Sequence, residues 1–92
     1  MRVKVEVYGS LRNVIGWRSI EIELDEGSTL GQLLDLLVEQ KPEVKEMMFE
    51  GENLRDYLKV LVDGRDCRLL GGLRTKLEDG STISIFPPAG GG

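Results

Sequence analysis

The chain has 92 residues, 40% hydrophobic and 30% charged, with a net charge of −4 and a pI near 4.8. That length supports one small core rather than two, and the apolar residues never form the run of roughly 20 that a membrane span needs. Acidic residues outnumber basic ones 16 to 12, and the basic ones are scattered rather than gathered into a stripe, so a nucleic-acid partner is not expected and protein partners are.

The residue types that are missing carry as much information. There is no histidine and a single cysteine, Cys67. One cysteine forms no internal disulfide, which agrees with a reducing compartment. A zinc site is not expected, and triads built on histidine are excluded. Any acid–base chemistry is therefore expected to come from another protein. The strand pattern begins at once from Met1, with no signal peptide ahead of it, so the expected location is the cytoplasm.

Taken in order, residues 2–8 alternate: Val3, Val5 and Val7 point one way, Lys4, Glu6 and Tyr8 the other. This is the period of a half-buried strand. Leu11, Val14 and Ile15 have the spacing of one helical turn, which Gly16 ends. Residues 17–24 alternate again, with Ile20, Ile22 and Leu24 inward, and pair antiparallel with the first strand. After a turn at Asp25-Glu26-Gly27, Thr29 and Gln32 have capping-box spacing. Leu30, Leu33, Leu34, Leu37 and Val38 form one apolar stripe on a helix of about three turns, with Asp35, Glu39 and Gln40 on the wet side and Pro42 marking its end.

Val44, Met47, Met48 and Phe49 predict a short helical turn, followed by a loop at Glu50-Gly51-Glu52-Asn53. Tyr57–Val62 reads as a strand with Leu58, Val60 and Val62 on one face. Asp63-Gly64 is a two-residue hairpin signal, and Arg65–Leu69 the returning strand, with Cys67 as a small buried residue in it. Gly71-Gly72 breaks that strand, Leu73 and Leu77 flank another short turn, and Glu78-Asp79-Gly80 turns the chain into the last strand, Thr82–Phe86. A hairpin, a crossing helix and further strands make an α+β domain with a mixed sheet covered on one face.

The last strand stops at Pro87-Pro88, because proline donates nothing to a ladder and holds φ near the polyproline value. Ala89-Gly90-Gly91-Gly92 follow with no charged side chain after Asp79. Residues 1–86 are thus read as the folded domain and 87–92 as an extended, glycine-rich tail. Frayed termini are often glycine-rich without a role. The strand and paired prolines in front of this one favour a functional tail.

Ile85-Phe86-Pro87-Pro88-Ala89-Gly90-Gly91-Gly92 resembles the Phe-Pro-Pro, two spacers and terminal Gly-Gly of a known family. Leu77-Glu78-Asp79-Gly80 resembles that family's Leu-x-Asp-Gly turn, Val60-Leu61-Val62-Asp63-Gly64 its strand and hairpin, and Val3 to Arg12 its first strand and the Leu-Arg after it. The chain resembles, over its whole length, the ubiquitin-like sulfur carriers of the molybdopterin-synthase small-subunit and thiamine sulfur-carrier type, including the archaeal small modifier proteins. It departs from them at Gly90, where the family usually has another residue, and in a stretch at 45–56 that is longer than in the shortest bacterial relatives.

The resemblance implies a β-grasp fold with one main helix across a mixed sheet, and a carrier that is not itself an enzyme. An ATP-dependent, E1-like activating partner would supply nucleotide site and metal and adenylate the Gly92 carboxylate, with Gly91 beside it and Gly90, Pro87 and Pro88 as the strap. This chain would bind no cofactor or metal of its own. The acyl-adenylate would then become a thiocarboxylate for sulfur transfer, foremost in molybdopterin biosynthesis with the synthase large subunit or another sulfur acceptor. Alternatively, Gly92 would be conjugated to lysines of target proteins. A non-covalent binding module is the more distant reading. A tail without Cβ atoms threads a narrow channel, and seven residues from Phe86 reach about 23 Å at ~3.3 Å each. Tyr8, Arg12 and Phe86 match family contacts to partners, and Leu61 lies on the same outer face. An exposed aromatic pair beside an arginine has hot-spot character; for Phe86, completion of the core edge is the competing reading.

Overall fold

A computed structural model of the protein describes residues 1–88. Thirteen short elements follow one another: β1 (Arg2–Val7), α1 (Leu11–Ile15), β2 (Ser19–Glu23), α2 (Leu30–Gln40), a 3₁₀ turn (Pro42–Val44), α3 (Lys45–Met48), β3 (Phe49–Glu50), β4 (Asn53–Leu54), β5 (Lys59–Val62), β6 (Arg65–Asp66), two 3₁₀ turns (Cys67–Leu69 and Gly72–Arg74) and β7 (Thr82–Phe86). The main sheet has the order β2-β1-β7-β5-β6. β1 and β7 lie parallel at its centre, with Val5 opposite Ile83 and Val7 opposite Ile85, and every other neighbour is antiparallel. This is the mixed sheet of a ubiquitin-like β-grasp fold, crossed on one face by α2.

The alternation of each strand decides its faces. Val3, Val5 and Val7, Val60 and Val62, and Ile83 and Ile85 are buried and meet Leu30, Leu33, Leu34 and Leu37 of α2. Each such side chain contributes about 1.5–3 kcal/mol relative to exposure. The start of α2 is the expected capping box: the Gln32 N–H donates to Thr29 Oγ1, and the Thr29 N–H to Gln32 Oε1 at 2.9 Å. Asp35, Glu39 and Gln40 are exposed, while Val38 is half-buried on the flank of the stripe rather than inside it.

The β2 expectation needs adjustment. Ile20 and Ile22 do face the core side, but both are only half-buried, because β2 is the edge strand of the sheet. Arg2 straps this edge to the sheet, its guanidinium 2.8 Å from Glu23. Gly16 ends α1 as expected, at φ 91° with its N–H donating to the Arg12 carbonyl.

The other differences lie between α2 and β7. The strand expected over Arg65–Leu69 stops at Asp66. The Asp66 carboxylate accepts the Arg68 N–H at 2.9 Å, and the Arg68 guanidinium donates to the carbonyls of Leu58 and Arg55. These bonds replace ladder pairing, so Cys67 is buried in a 3₁₀ turn and not in a strand. For the same reason the strand expected from Tyr57 begins at Lys59, and Tyr57 is exposed. The Asp63-Gly64 turn is as expected, with φ of 51° and 82°. The loop expected at 50–53 is the turn of a small hairpin, β3 pairing with β4 through Phe49 and Leu54. Met48 and Val44 are core residues. The turn near Leu73 is a 3₁₀ turn over Gly72–Arg74. It lies so close to α2 that a Cβ on Gly31 would stand 3.1 Å from the Leu73 carbonyl oxygen. Among the described residues, no helix is long and apolar enough to cross a membrane.

Candidate functional site: the outer sheet face and the exit of the tail

The face of the sheet away from α2 is built by the residues that the core leaves out. Along β1 these are Lys4 and Glu6, continued by Tyr8. Along β7 they are Thr82, Ser84 and Phe86. Along β5 they are Lys59 and Leu61. Register places them side by side: Glu6 opposite Ser84, Leu61 opposite Ser84 on the other flank, and Lys59 opposite Phe86. Tyr8 follows the last ladder residue of β1, and its N–H still donates to the Ile85 carbonyl at 3.0 Å. That bond carries its ring beside Phe86.

The two rings stack, with centroids 4.3 Å apart and planes 10° from parallel. The Arg12 guanidinium lies 5.0 Å from the Tyr8 ring centroid, a cation–π contact. It is not free to swing, because Arg12 Nε donates to the Val7 carbonyl at 2.7 Å. Tyr8, Arg12, Phe86 and Leu61 are all half-buried. Tyr8 Oη donates to Glu6 Oε1 at 3.2 Å, and Glu6 also pairs with Lys4 at 3.4 Å. The result is an apolar centre of two aromatic rings and Leu61, with a charged border of Arg12, Lys59 and Glu6.

Of the residues expected to meet partners, Tyr8, Arg12 and Phe86 are brought into one contact group, and Leu61 lies diagonally across from Phe86 on the neighbouring strand. Phe86 does not complete the core: Ile85 before it is fully buried, and the Phe86 ring is on the opposite face. Glu6 shares this face with Tyr8, as the alternation of β1 predicts, while Lys59 and Ser84 are further members that the sequence reading did not name. Strand parity also points to these two, since Lys59 and Leu61 are two apart, as are Ser84 and Phe86.

Phe86 is also where the chain leaves the sheet. Pro87 and Pro88 follow it, half-buried, and Pro87 lies against Gly9. Of the expected tail, Gly90, Gly91 and Gly92 lie outside the described residues. Cys67 stands apart from this site. Burial raises its thiol pKa, Asp66 raises it further, and Arg68 opposes the shift. The thiol is thus held neutral.

Comparison with known proteins identifies the family. The ThiS family profile matches residues 5–92. Small archaeal modifier protein 3 of Haloferax volcanii is 30% identical over 92 residues, the full length of both chains. Sulfur carrier protein CysO of Mycobacterium tuberculosis is 29% identical over 69 residues, 72% of this chain and 74% of its own. Among solved structures, a candidate molybdopterin converting factor, subunit 1, from Pyrococcus furiosus superimposes with a TM-score of 0.79 at 27% identity, covering 97% of this chain and 99% of its own. With a match that runs from the first strand through the glycine-rich end, on the β-grasp sheet that presents that end, the chain belongs to the ThiS family of small ubiquitin-like carrier and modifier proteins.

Proposed function

We propose that this protein is a ubiquitin-like sulfur carrier whose reactive group is the Gly92 carboxylate. The observation that carries the reading is the joining of β7, through Phe86 and two prolines, to a chain end that falls within the family match. A carboxylate is a poor electrophile. In this reading an E1-like partner uses ATP and its own metal to form the acyl-adenylate, releasing pyrophosphate. Hydrosulfide then attacks the Gly92 carbonyl, the C–O bond to AMP breaks, AMP leaves and a thiocarboxylate remains after loss of the S–H proton. The carrier contributes reach, thinness and a docking face. The outer sheet face, with Tyr8, Phe86, Leu61 and Arg12, is the surface this reading assigns to the activating enzyme and to the sulfur acceptor. Its likeness to the Pyrococcus furiosus protein supports molybdopterin synthesis, with a synthase large subunit as acceptor.

A second reading has support of its own. The full-length likeness to small archaeal modifier protein 3 supports conjugation of Gly92 to lysines of target proteins through the same activated tail. Intact mass of the protein recovered from cells distinguishes the two. A gain of about 16 Da, an oxygen-to-sulfur exchange at the carboxylate, supports the carrier. Gly-Gly remnants on lysines of other proteins support the modifier. Deletion of Gly91-Gly92 is expected to abolish either activity. A truncated protein with full biological activity refutes both and leaves only a non-covalent binding module.

A further inference from the structure

The first residue beyond the last strand has a neighbour with no side chain. Gly9 lies in the turn between β1 and α1 with φ +58°, and a Cβ built on it would stand 3.0 Å from Pro87 Cγ and 3.6 Å from Pro87 Cδ. The turn is fixed from both sides. The Tyr8 N–H donates to the Ile85 carbonyl at 3.0 Å, the Arg12 N–H to the Gly9 carbonyl at 3.1 Å, and Arg12 Nε to the Val7 carbonyl at 2.7 Å. The Tyr8 ring is itself stacked on Phe86. Gly9 is therefore held by the ladder, and a β-carbon there would have to be accommodated by a shift of the Pro87 ring or of the chain that follows Phe86.

We infer that Gly9 is a positioning residue for the reactive tail: its bare Cα is the seat on which Pro87 rests, and that seat aims the chain as it leaves the sheet. The inference rests on the proposed activation of Gly92. Two properties of Gly9 separate here. The positive φ is one that asparagine also adopts at small cost. The space taken by Pro87 is not, since any β-carbon enters it. Gly9→Asn thus keeps the backbone and removes the seat, while Pro87→Ala removes Cγ and Cδ, the two atoms the new side chain would meet.

The test is ATP–pyrophosphate exchange by the activating enzyme from the same genome, with four carriers: wild type, Gly9→Asn, Pro87→Ala and the double variant. Misdirection of the tail leaves the docking face intact, so Gly9→Asn is expected to lower kcat about tenfold with KM within about twofold, since small misplacements of reacting groups cost one to two decades. In the Pro87→Ala background the same substitution is expected to cost less than about twofold. A nuclear Overhauser contact between Gly9 Hα and Pro87 Hγ in the wild type, absent in Gly9→Asn while the Tyr8 amide keeps its position, reads the seat directly. Unchanged kcat in Gly9→Asn, an undiminished loss in the double variant, or no wild-type Overhauser contact overturns the assignment alone. A wild-type carrier that supports no exchange overturns the proposed function and this assignment with it.

Discussion

Replacing Phe86 by alanine tests whether the outer sheet face serves recognition or merely closes the fold. The ring is half-buried, stacked on Tyr8 at 4.3 Å, and next in sequence to Ile85, which is fully buried. Full truncation of a core phenylalanine costs about 3–5 kcal/mol. Here only part of that area is removed from water, and the stack adds about 0.5–1.5 kcal/mol beyond area. The expected loss is about 2 kcal/mol, or about 8–16 °C in Tm for a domain this size. Ile85→Ala, which opens a cavity under α2, is expected to cost about 2–5 kcal/mol. Partner binding should rank the two oppositely. If Phe86 anchors the interface, its truncation costs 2 kcal/mol or more of affinity, about a thirtyfold rise in Kd, whereas Ile85→Ala leaves the Kd of the folded fraction nearly unchanged. Urea denaturation and calorimetric titration with the activating enzyme measure both quantities on the same samples. The reasoning is wrong if Phe86→Ala loses as much stability as Ile85→Ala while its Kd moves less than about threefold.

Three further outcomes are expected. Thr29→Ala removes the side-chain acceptor of the α2 capping box and should lower stability by about 1 kcal/mol, measured by urea denaturation; Thr29→Ser should restore most of it. Gly31→Ala would raise helix propensity in isolation, but its Cβ would stand 3.1 Å from the Leu73 carbonyl oxygen, so a net loss of Tm is expected, and a gain would show that the 72–74 turn yields freely. Cys67 has a thiol pKa raised by burial, so folding keeps it neutral where the unfolded thiol ionises. That contribution is complete below the unfolded value, near pH 8.5, and is lost as pH rises from there through the folded value. Stability of the wild type should fall above the unfolded value, about pH 8.5, more steeply than that of Cys67→Ala, and equal slopes would contradict the buried neutral thiol.

Much of the fold is legible in the chain because several signals agree locally. The valines of β1, the isoleucines of β7, the four leucines of α2 and the Thr29/Gln32 box each combine periodicity with a cap or turn, and such agreement leaves few alternatives. The stretch from Phe49 to Arg74 is less legible. Asp66 competes for backbone donors, and Arg68 reaches carbonyls ten and thirteen residues away; neither choice of partner follows from the period of the apolar residues. The β3–β4 hairpin is two residues per strand, too short for an alternation to register.

The site divides in the same way. By itself the amino-acid sequence determined that this chain has no histidine-based chemistry, that its last strand is cut by two prolines, and that glycines follow, because these are matters of residue type and φ restriction that hold in any fold. That Tyr8 and Phe86, 78 positions apart, share one stack, and that Gly9 leaves room for Pro87, was decided only by the tertiary structure. The parallel pairing of the first strand with the last sets β1 and β7 side by side at the centre of the sheet, so that Tyr8 and Gly9 after β1 meet Phe86 and Pro87 at the end of β7, and the order of residues along the chain does not specify which strands become neighbours.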